Sequence, residues 1–477
     1  MRLNWSAALF AAAASITSLI SLPASSFAQD ASATANSPVV SGDPRLNVYH
    51  NIKTLGAVDD GATDNSAALQ AAINAGHAVM IPEGTFNFST TLLLRKDSVI
   101  VGVGKRSVLR YTGAGVALRE PEGSYVNGYD NLKLINFTLT TSSNSQTGIE
   151  LTNNYQVTMD GLYINGNSSG FRTAGINIIG GSPTTNSAII RIINGEIWLC
   201  AGDGVRISGP GGAAAVWIER NHITGNAFGV NQTLPGSNYP SVNLQVKNNV
   251  IEGNVSGGVN AEILYASSIT GNYFENIAGS NVTLVRIANQ GFAQGLNISD
   301  NLFGGKAASY NIDMNGPADV TGVIANNTFA GASVAAIRVN TARGLVIENN
   351  TLEPKTVPTV AVLGQGSRSV WIEDSNNASY VSGAASAQPN LTIGGRVIVG
   401  GGASLKNNGG TMENRTADGN GFAPLSALSF KLSGGPTWTS GAGAPTSACV
   451  TGSLYTRTDG AAKTTLYACE KGAWVAK

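Results

Sequence analysis

Down the middle of the chain, apolar and polar residues alternate in short runs that recur. The segment Val216-Trp217-Ile218-Glu219-Arg220-Asn221-His222-Ile223 is followed by similar ones around Asn249, Asn272, Asn301, Asn327 and Asn350, spaced 28, 23, 29, 26 and 23 residues apart. Each copy has an apolar residue three positions before the asparagine and another two positions after it. That spacing is expected when both side chains point inward from strands flanking a tight bend. An asparagine at the bend tolerates left-handed backbone, and equivalent bends stacked on one another predict a ladder of hydrogen-bonded side-chain amides.

A second pattern follows each bend: Gly148-Ile149-Glu150-Leu151, Gly175-Ile176-Asn177-Ile178, Gly204-Val205-Arg206-Ile207, Gly229-Val230-Asn231, Gly258-Val259-Asn260, Val285-Arg286-Ile287, Ile312-Asp313-Met314 and Ile337-Arg338-Val339. In-out-in alternation predicts a parallel sheet whose outward column reads Glu150, Asn177, Arg206, Asn231, Asn260, Arg286, Asp313 and Arg338, with members about 4.8 Å apart. Repeats of this length fit a β-helix with three strands per turn, and residues 90–400 supply roughly a dozen turns. Leucine-rich repeats have a different leucine spacing, and propeller blades repeat near ~40 residues.

Only one segment has helical character. In Asp64-Asn65-Ser66-Ala67-Ala68-Leu69-Gln70-Ala71-Ala72-Ile73-Asn74-Ala75-Gly76, Asp64 can cap the start, Leu69, Ala72 and Ile73 share a face, and Gly76 can end it. Past about Asn414 the chain becomes rich in Gly, Pro, Ser and Thr. It then offers two strand-like runs, Gly452–Arg457 and Thr465–Cys469, around a turn at Asp459-Gly460.

Composition agrees with many short strands and tight turns: charged residues are 12% against roughly 25% in an average soluble domain, and there are 59 glycines. Lys+Arg and Asp+Glu are both 29, with no basic stripe interleaved with aromatics, which argues against nucleic acid as a partner. Arg2, the apolar stretch Ala7–Leu22 and Ser26-Phe27-Ala28 read as a signal peptide cleaved after Ala28. The stretch is broken by Ser15, Thr17, Ser18 and Ser21, and no later one approaches ~18 apolar residues, so no membrane span is expected in the mature chain. The expected destination is secreted or periplasmic, with the cell surface as one place of residence. Export permits a disulfide between Cys449 and Cys469 and leaves Cys200, behind Ile197-Trp198-Leu199, as a buried thiol. The expected organisation is a signal peptide (1–28), a linker (29–45), a β-helix (46–410) and a small C-terminal β module (411–477).

The stretch Leu55-Gly56-Ala57-Val58-Asp59-Asp60-Gly61-Ala62-Thr63-Asp64, continuing through the helix to Ile81-Pro82-Glu83-Gly84-Thr85-Phe86, resembles the opening motif of pectate-lyase-like proteins of the rhamnogalacturonase/epimerase type. The resemblance implies an all-β, right-handed, single-stranded parallel β-helix. In it the helix plugs the open end of the solenoid, and Asp59, Asp60 and Asp64 serve structure rather than catalysis. Polysaccharide lyases, glycoside hydrolases and phage tailspikes share this architecture, and the resemblance is compatible with a trimer. The C-terminal Gly-Ser-Leu-Tyr-Thr-Arg-Thr-Asp-Gly and Thr-Leu-Tyr-Ala-Cys stretches look like a module appended to exported bacterial and phage-tail β-helix proteins. The polygalacturonase signatures Asn-Thr-Asp, Gly-His-Gly and Arg-x-Lys are absent from the repeats.

The implied partner is a polysaccharide, acidic, pectin-like or an exopolysaccharide. Hydrolysis needs a proton donor and a second carboxylate; β-elimination from a uronate needs a base and charge neutralisation. The candidate catalytic residues are Asp203, Arg206, Glu262, Arg286 and Asp313, with Glu219, Glu252 and His222 nearby in sequence. No cofactor is required for hydrolysis, and Ca²⁺ is expected only for a lyase. The non-enzymatic alternative is a glycan-binding or adhesive surface protein.

Overall fold

A computed structural model describes residues 49–353 and 436–477, with interruptions at 77, 121–129, 183–184, 235–240, 276–281, 285–292, 305–309, 315–319, 332–334, 340–341 and 462–463; between 354 and 435 it describes only the backbones of the strands. The expected signal peptide and linker lie outside the described residues.

The repeats fold as a right-handed parallel β-helix of three sheets. The first sheet runs from Tyr49–Asn51 to Thr392–Ile393. The second runs from Asp60–Asp64 to Thr351–Glu353, and the third from Leu92–Leu93 to Tyr380–Ser382. Every strand in these sheets pairs parallel with its equivalent one coil away, so in-register side chains stack in columns. Inward columns form a continuous apolar core. Within it Phe274, Phe303 and Phe329 stack with centroids 5.0 and 4.8 Å apart and planes tilted by 6° and 12°.

The amide ladder forms between the first and second sheets. The Nδ2 groups of Asn221, Asn249, Asn272, Asn301 and Asn327 each donate to Oδ1 of the next asparagine, at 2.9–3.2 Å, ending at Asn350. The left-handed residue, however, is the one before: Arg220, Asn248, Gly271, Asp300, Asn326 and Asn349 carry φ of 52–67°. The turn is thus divided between an exposed residue that makes the bend and a buried asparagine that satisfies the backbone around it. A second, shorter ladder lies between the second and third sheets, where Asn226 Nδ2 donates to Asn254 Oδ1 at 3.1 Å and Asn226 Oδ1 accepts from the Cys200 N–H at 3.0 Å.

The recurring glycines of the third sheet have an equally local cause. A Cβ on Gly148, Gly175, Gly204 or Gly229 would stand 2.5, 3.0, 2.7 or 2.8 Å from the carbonyl oxygen of the corresponding glycine one coil on. Each glycine leaves room for the next coil's backbone to close in.

The one α-helix among the described residues, Ser66–Ala75, buries Leu69, Ala72 and Ile73 at the start of the solenoid. Asn65 rather than Asp64 takes the cap position, its side chain tied instead to Val58. Asp64 bonds the Ser66 N–H at 2.9 Å and the hydroxyls of Ser66 and Ser89, which hold its carboxyl down at about 2. Gly76 ends the helix in extended backbone. Asp59 pairs with Lys53 and Asp60 closes a turn onto Ala62 and Thr63, so all three acids of the opening motif have structural partners.

Beyond the coils, Arg396–Ile398, Ala403–Asn408 and Thr411–Thr416 form an antiparallel sheet. A mostly antiparallel five-stranded sheet follows from Ser429–Lys431 to Ala473–Ala476, and Cys469 on its strand Leu466–Glu470 is disulfide-bonded to Cys449 in a loop. Cys200 is buried and free, its thiol pushed up to about 12 by burial. No helix among the described residues is long and apolar enough to cross a membrane.

Candidate glycan-processing site on the third sheet

The outward column of the third sheet follows from strand register. It runs Arg119, Glu150, Asn177, Arg206, Asn231 and Asn260, passes the backbone register position of Thr283, and continues with Asp313 and Arg338. The register position expected for Arg286 falls to Thr283, because the strand is Val282–Leu284. Two successive Val-x-Leu/Ile runs fit the same alternation, and hydrogen-bonded register with Val259–Ala261 selects the first. Arg286 itself lies outside the described residues.

Three of the expected residues gather at the strands Asp203–Ser208, Phe228–Thr233 and Gly257–Ala261. Asp203 opens the first strand with its carboxylate on the outer face, 4% exposed. Its Oδ2 accepts from Asn231 Nδ2 at 2.8 Å and from Arg206 Nη1 at 3.4 Å, and its Oδ1 accepts from the Phe228 N–H at 3.4 Å. Burial pushes this carboxyl above the usual carboxylate range, against the pull of Asn231, Arg206 and Phe228.

Glu262 leaves the end of the third strand and is partly exposed. It accepts from the Leu234 N–H at 2.5 Å and is also bonded by the Thr233 hydroxyl. Burial raises its carboxyl too, against Leu234, Thr233 and the nearby charge of Arg206. Arg206 therefore acts electrostatically on both carboxyls, which stand two rungs apart and at opposite ends of their strands.

The other candidates lie elsewhere. Asp313 belongs to the same column but is held by Arg338 in a two-point pair at 2.6 and 2.5 Å, with the guanidinium 4.4 Å from the centre of the Tyr310 ring. His222 and Glu252 are bonded to each other at 2.9 Å on the second sheet, and Glu219 ends a strand of the first. They share no face with Asp203. Trp217 lies on the first sheet, 4.6 Å beneath the Arg191 guanidinium.

Gln232 is a contributor that residue patterns left unassigned. It occupies an inward position in register with Ile207, where its Oε1 accepts the N–H groups of Glu262 and Ile263 at 2.8 and 2.9 Å and its Nε2 donates to the Ile263 carbonyl at 2.6 Å. It fixes the corner from which Glu262 projects. The readable signal is a polar residue interrupting an apolar column.

Ca²⁺ takes about six to eight oxygen ligands. Among the described residues no three His, Cys, Asp or Glu side chains converge as a metal-binding set. At this site the Arg206 cation stands beside the two carboxyls that would have to ligate such an ion. The residues present do not fit Ca²⁺.

Residues 49–129 match the model of the family described as rhamnogalacturonase A/epimerase, pectate lyase-like. The preneck appendage protein of Bacillus phage PZA is 38% identical over 93 residues, 19% of this chain and 11% of the phage protein, so the chain spans about a tenth of that relative's length. Two solved structures share the fold. The catalytic unit of the thermostable GH87 alpha-1,3-glucanase from Streptomyces thermodiastaticus strain HF3-3 superposes with a TM-score of 0.53 at 15% identity, over 76% of this chain and 69% of the other. DFA-IIIase from Arthrobacter chlorophenolicus A6, without its lid and in complex with GF2, gives 0.54 at 14% identity, over 73% and 98%. The chain is thus a right-handed parallel β-helix whose opening segment, residues 49–129, matches the pectate-lyase-like family.

Proposed function

We propose that this protein is an exported polysaccharide-cleaving enzyme, a glycoside hydrolase that lays its glycan along the third sheet and cleaves it between Glu262 and Asp203. One observation carries the reading: two carboxyls, both raised by burial, flank a single guanidinium on one face. Glu262, partly exposed and biased toward its protonated form, gives its proton to the departing glycosidic oxygen. Asp203 takes a proton from water as the water oxygen bonds to the anomeric carbon and the glycosidic C–O bond breaks. Arg206 keeps enough positive charge nearby for Asp203 to ionise. Two rungs and opposite strand ends set the carboxyls well beyond the ~5 Å of retaining enzymes, which leaves room for that water and favours inversion.

A panel of neutral and acidic glycans, followed for new reducing ends and for the ultraviolet absorbance of unsaturated uronates, tests this directly. Reducing ends without that absorbance, lost in Asp203→Asn and Glu262→Gln at an unchanged thermal transition, are the expected result. Full activity in both variants sinks the site. Absorbance of unsaturated products points to a lyase instead.

The committed pairs Arg119–Glu150 and Arg338–Asp313 favour a second reading, in which the face binds glycan without cleaving it. Saturable binding with neither signal across the panel would select that adhesive role.

A further inference from the structure

We infer that Asn231 and Asn260 are positioning residues for Asp203, an amide relay across three rungs that fixes which carboxylate oxygen remains available to water and substrate. The inference rests on reading Asp203 as a catalytic carboxylate. Asn260 Nδ2 donates to Asn231 Oδ1 at 2.8 Å, which occupies the oxygen end of the Asn231 amide. The Asn231 Nδ2 therefore faces the other way, onto Asp203 Oδ2 at 2.8 Å. Arg206 approaches the same oxygen, while Oδ1 takes one long bond, from the Phe228 N–H at 3.4 Å. The relay thus assigns Oδ2 to the protein and leaves Oδ1 as the freer, reactive oxygen.

Strand register makes the relay. Asn231 is the in-register neighbour of both Arg206 and Asn260, and the rung spacing of about 4.8 Å suits one amide reaching the next. It stops on either side: Asn177, one rung before Arg206, accepts at its Oδ1 from the Ser208 hydroxyl at 3.0 Å, and Thr283 follows Asn260 in register. The charged and titratable groups facing Asp203 are Arg206 on its own strand and the Cys200 thiol in the preceding turn, which burial keeps protonated. The flanking strands present Asn177 and Asn231, which carry no charge.

A neutral donor bonded to a carboxylate favours its ionised form. Without the Asn231 amide, burial acts with less opposition and Asp203 protonates at higher pH. Asn260→Ala leaves that amide free to turn and gives a smaller shift of the same sign.

The test uses the full chain and an infrared difference titration, in which the Asp203 transition is identified by its loss in Asp203→Asn. Asn231→Ala should move that transition up by about one pH unit, and Asn260→Ala, the second variant should the first not fold, by less. Asn177→Ala should leave it unmoved. The acid limb of the pH–rate profile for glycan cleavage should move with the Asn231→Ala titration while KM stays constant. An unmoved Asp203 transition in both relay variants overturns the inference whether or not any glycan is cleaved. A moved transition in a protein that cleaves nothing leaves the relay standing and removes the catalytic reading of Asp203.

Discussion

Asn272 gives both its backbone N–H and its side-chain Nδ2 to one atom, Oδ1 of Asn301, at 2.9 and 3.0 Å. Asn301 repeats the pattern onto Asn327 and also donates to the Ile269 carbonyl at 2.9 Å. Removing its side chain therefore orphans buried groups in two coils. Asn301→Ala should cost on the order of 3 kcal/mol, since each buried polar group left unpaired costs about 1–3. Asn326→Ala, at an exposed left-handed position, should cost about 1 kcal/mol. Urea unfolding of the two variants decides the matter, and equal costs would mean that the ladder is decoration.

Gly204 supplies a second test of coil stacking. A methyl there would lie 2.7 Å from the Gly229 carbonyl oxygen and 2.9 Å from the Ile223 side chain. Gly204→Ala should destabilise by about 2 kcal/mol, the usual scale for overpacking, and reduce glycan cleavage by shifting the backbone that carries Asp203. In Gly115→Ala the new methyl meets only the Tyr111 hydroxyl, at 3.6 Å, and stability should stay within about 0.5 kcal/mol of wild type. Matching melting temperatures for both variants would contradict the packing role.

Glu120 predicts a pH dependence. It is in register with core-facing Leu151 and is 2% exposed, sharing its enclosure with Asp130 and Asn154. Burial pushes its carboxyl from 4.5 up to about 7, with Asp130 adding to the rise and Asn154 and Lys96 opposing it. Because the folded chain holds this proton more tightly than the unfolded one, the contribution is stabilising below about pH 4.5. It is lost as pH rises through about 7, a change of about 3 kcal/mol. Glu120→Gln keeps the shape without the titration, so its unfolding free energy should fall less than that of wild type between pH 4.5 and 8. Parallel stability curves would show that Glu120 ionises without cost.

The inward positions either side of each ladder asparagine, the helical plug and the cysteine pair of the tail were all legible as sequence, because each depends on a local period or on short spacing. Alternation also fixed which residues of Gly204-Val205-Arg206-Ile207 face out. Local pattern could not choose between Val282-Thr283-Leu284 and Val285-Arg286-Ile287, since both alternate correctly and only pairing with the neighbouring coil distinguishes them. Nor could it place Glu120 inside the solenoid, or separate His222 and Glu252 from Asp203, because the sheet a residue joins depends on where its turns fall in three dimensions. The sequence by itself determined a stacked coil with polar columns. Tertiary structure decided which acids share a face, and burial then raised the carboxyls of Asp203, Glu262 and Glu120.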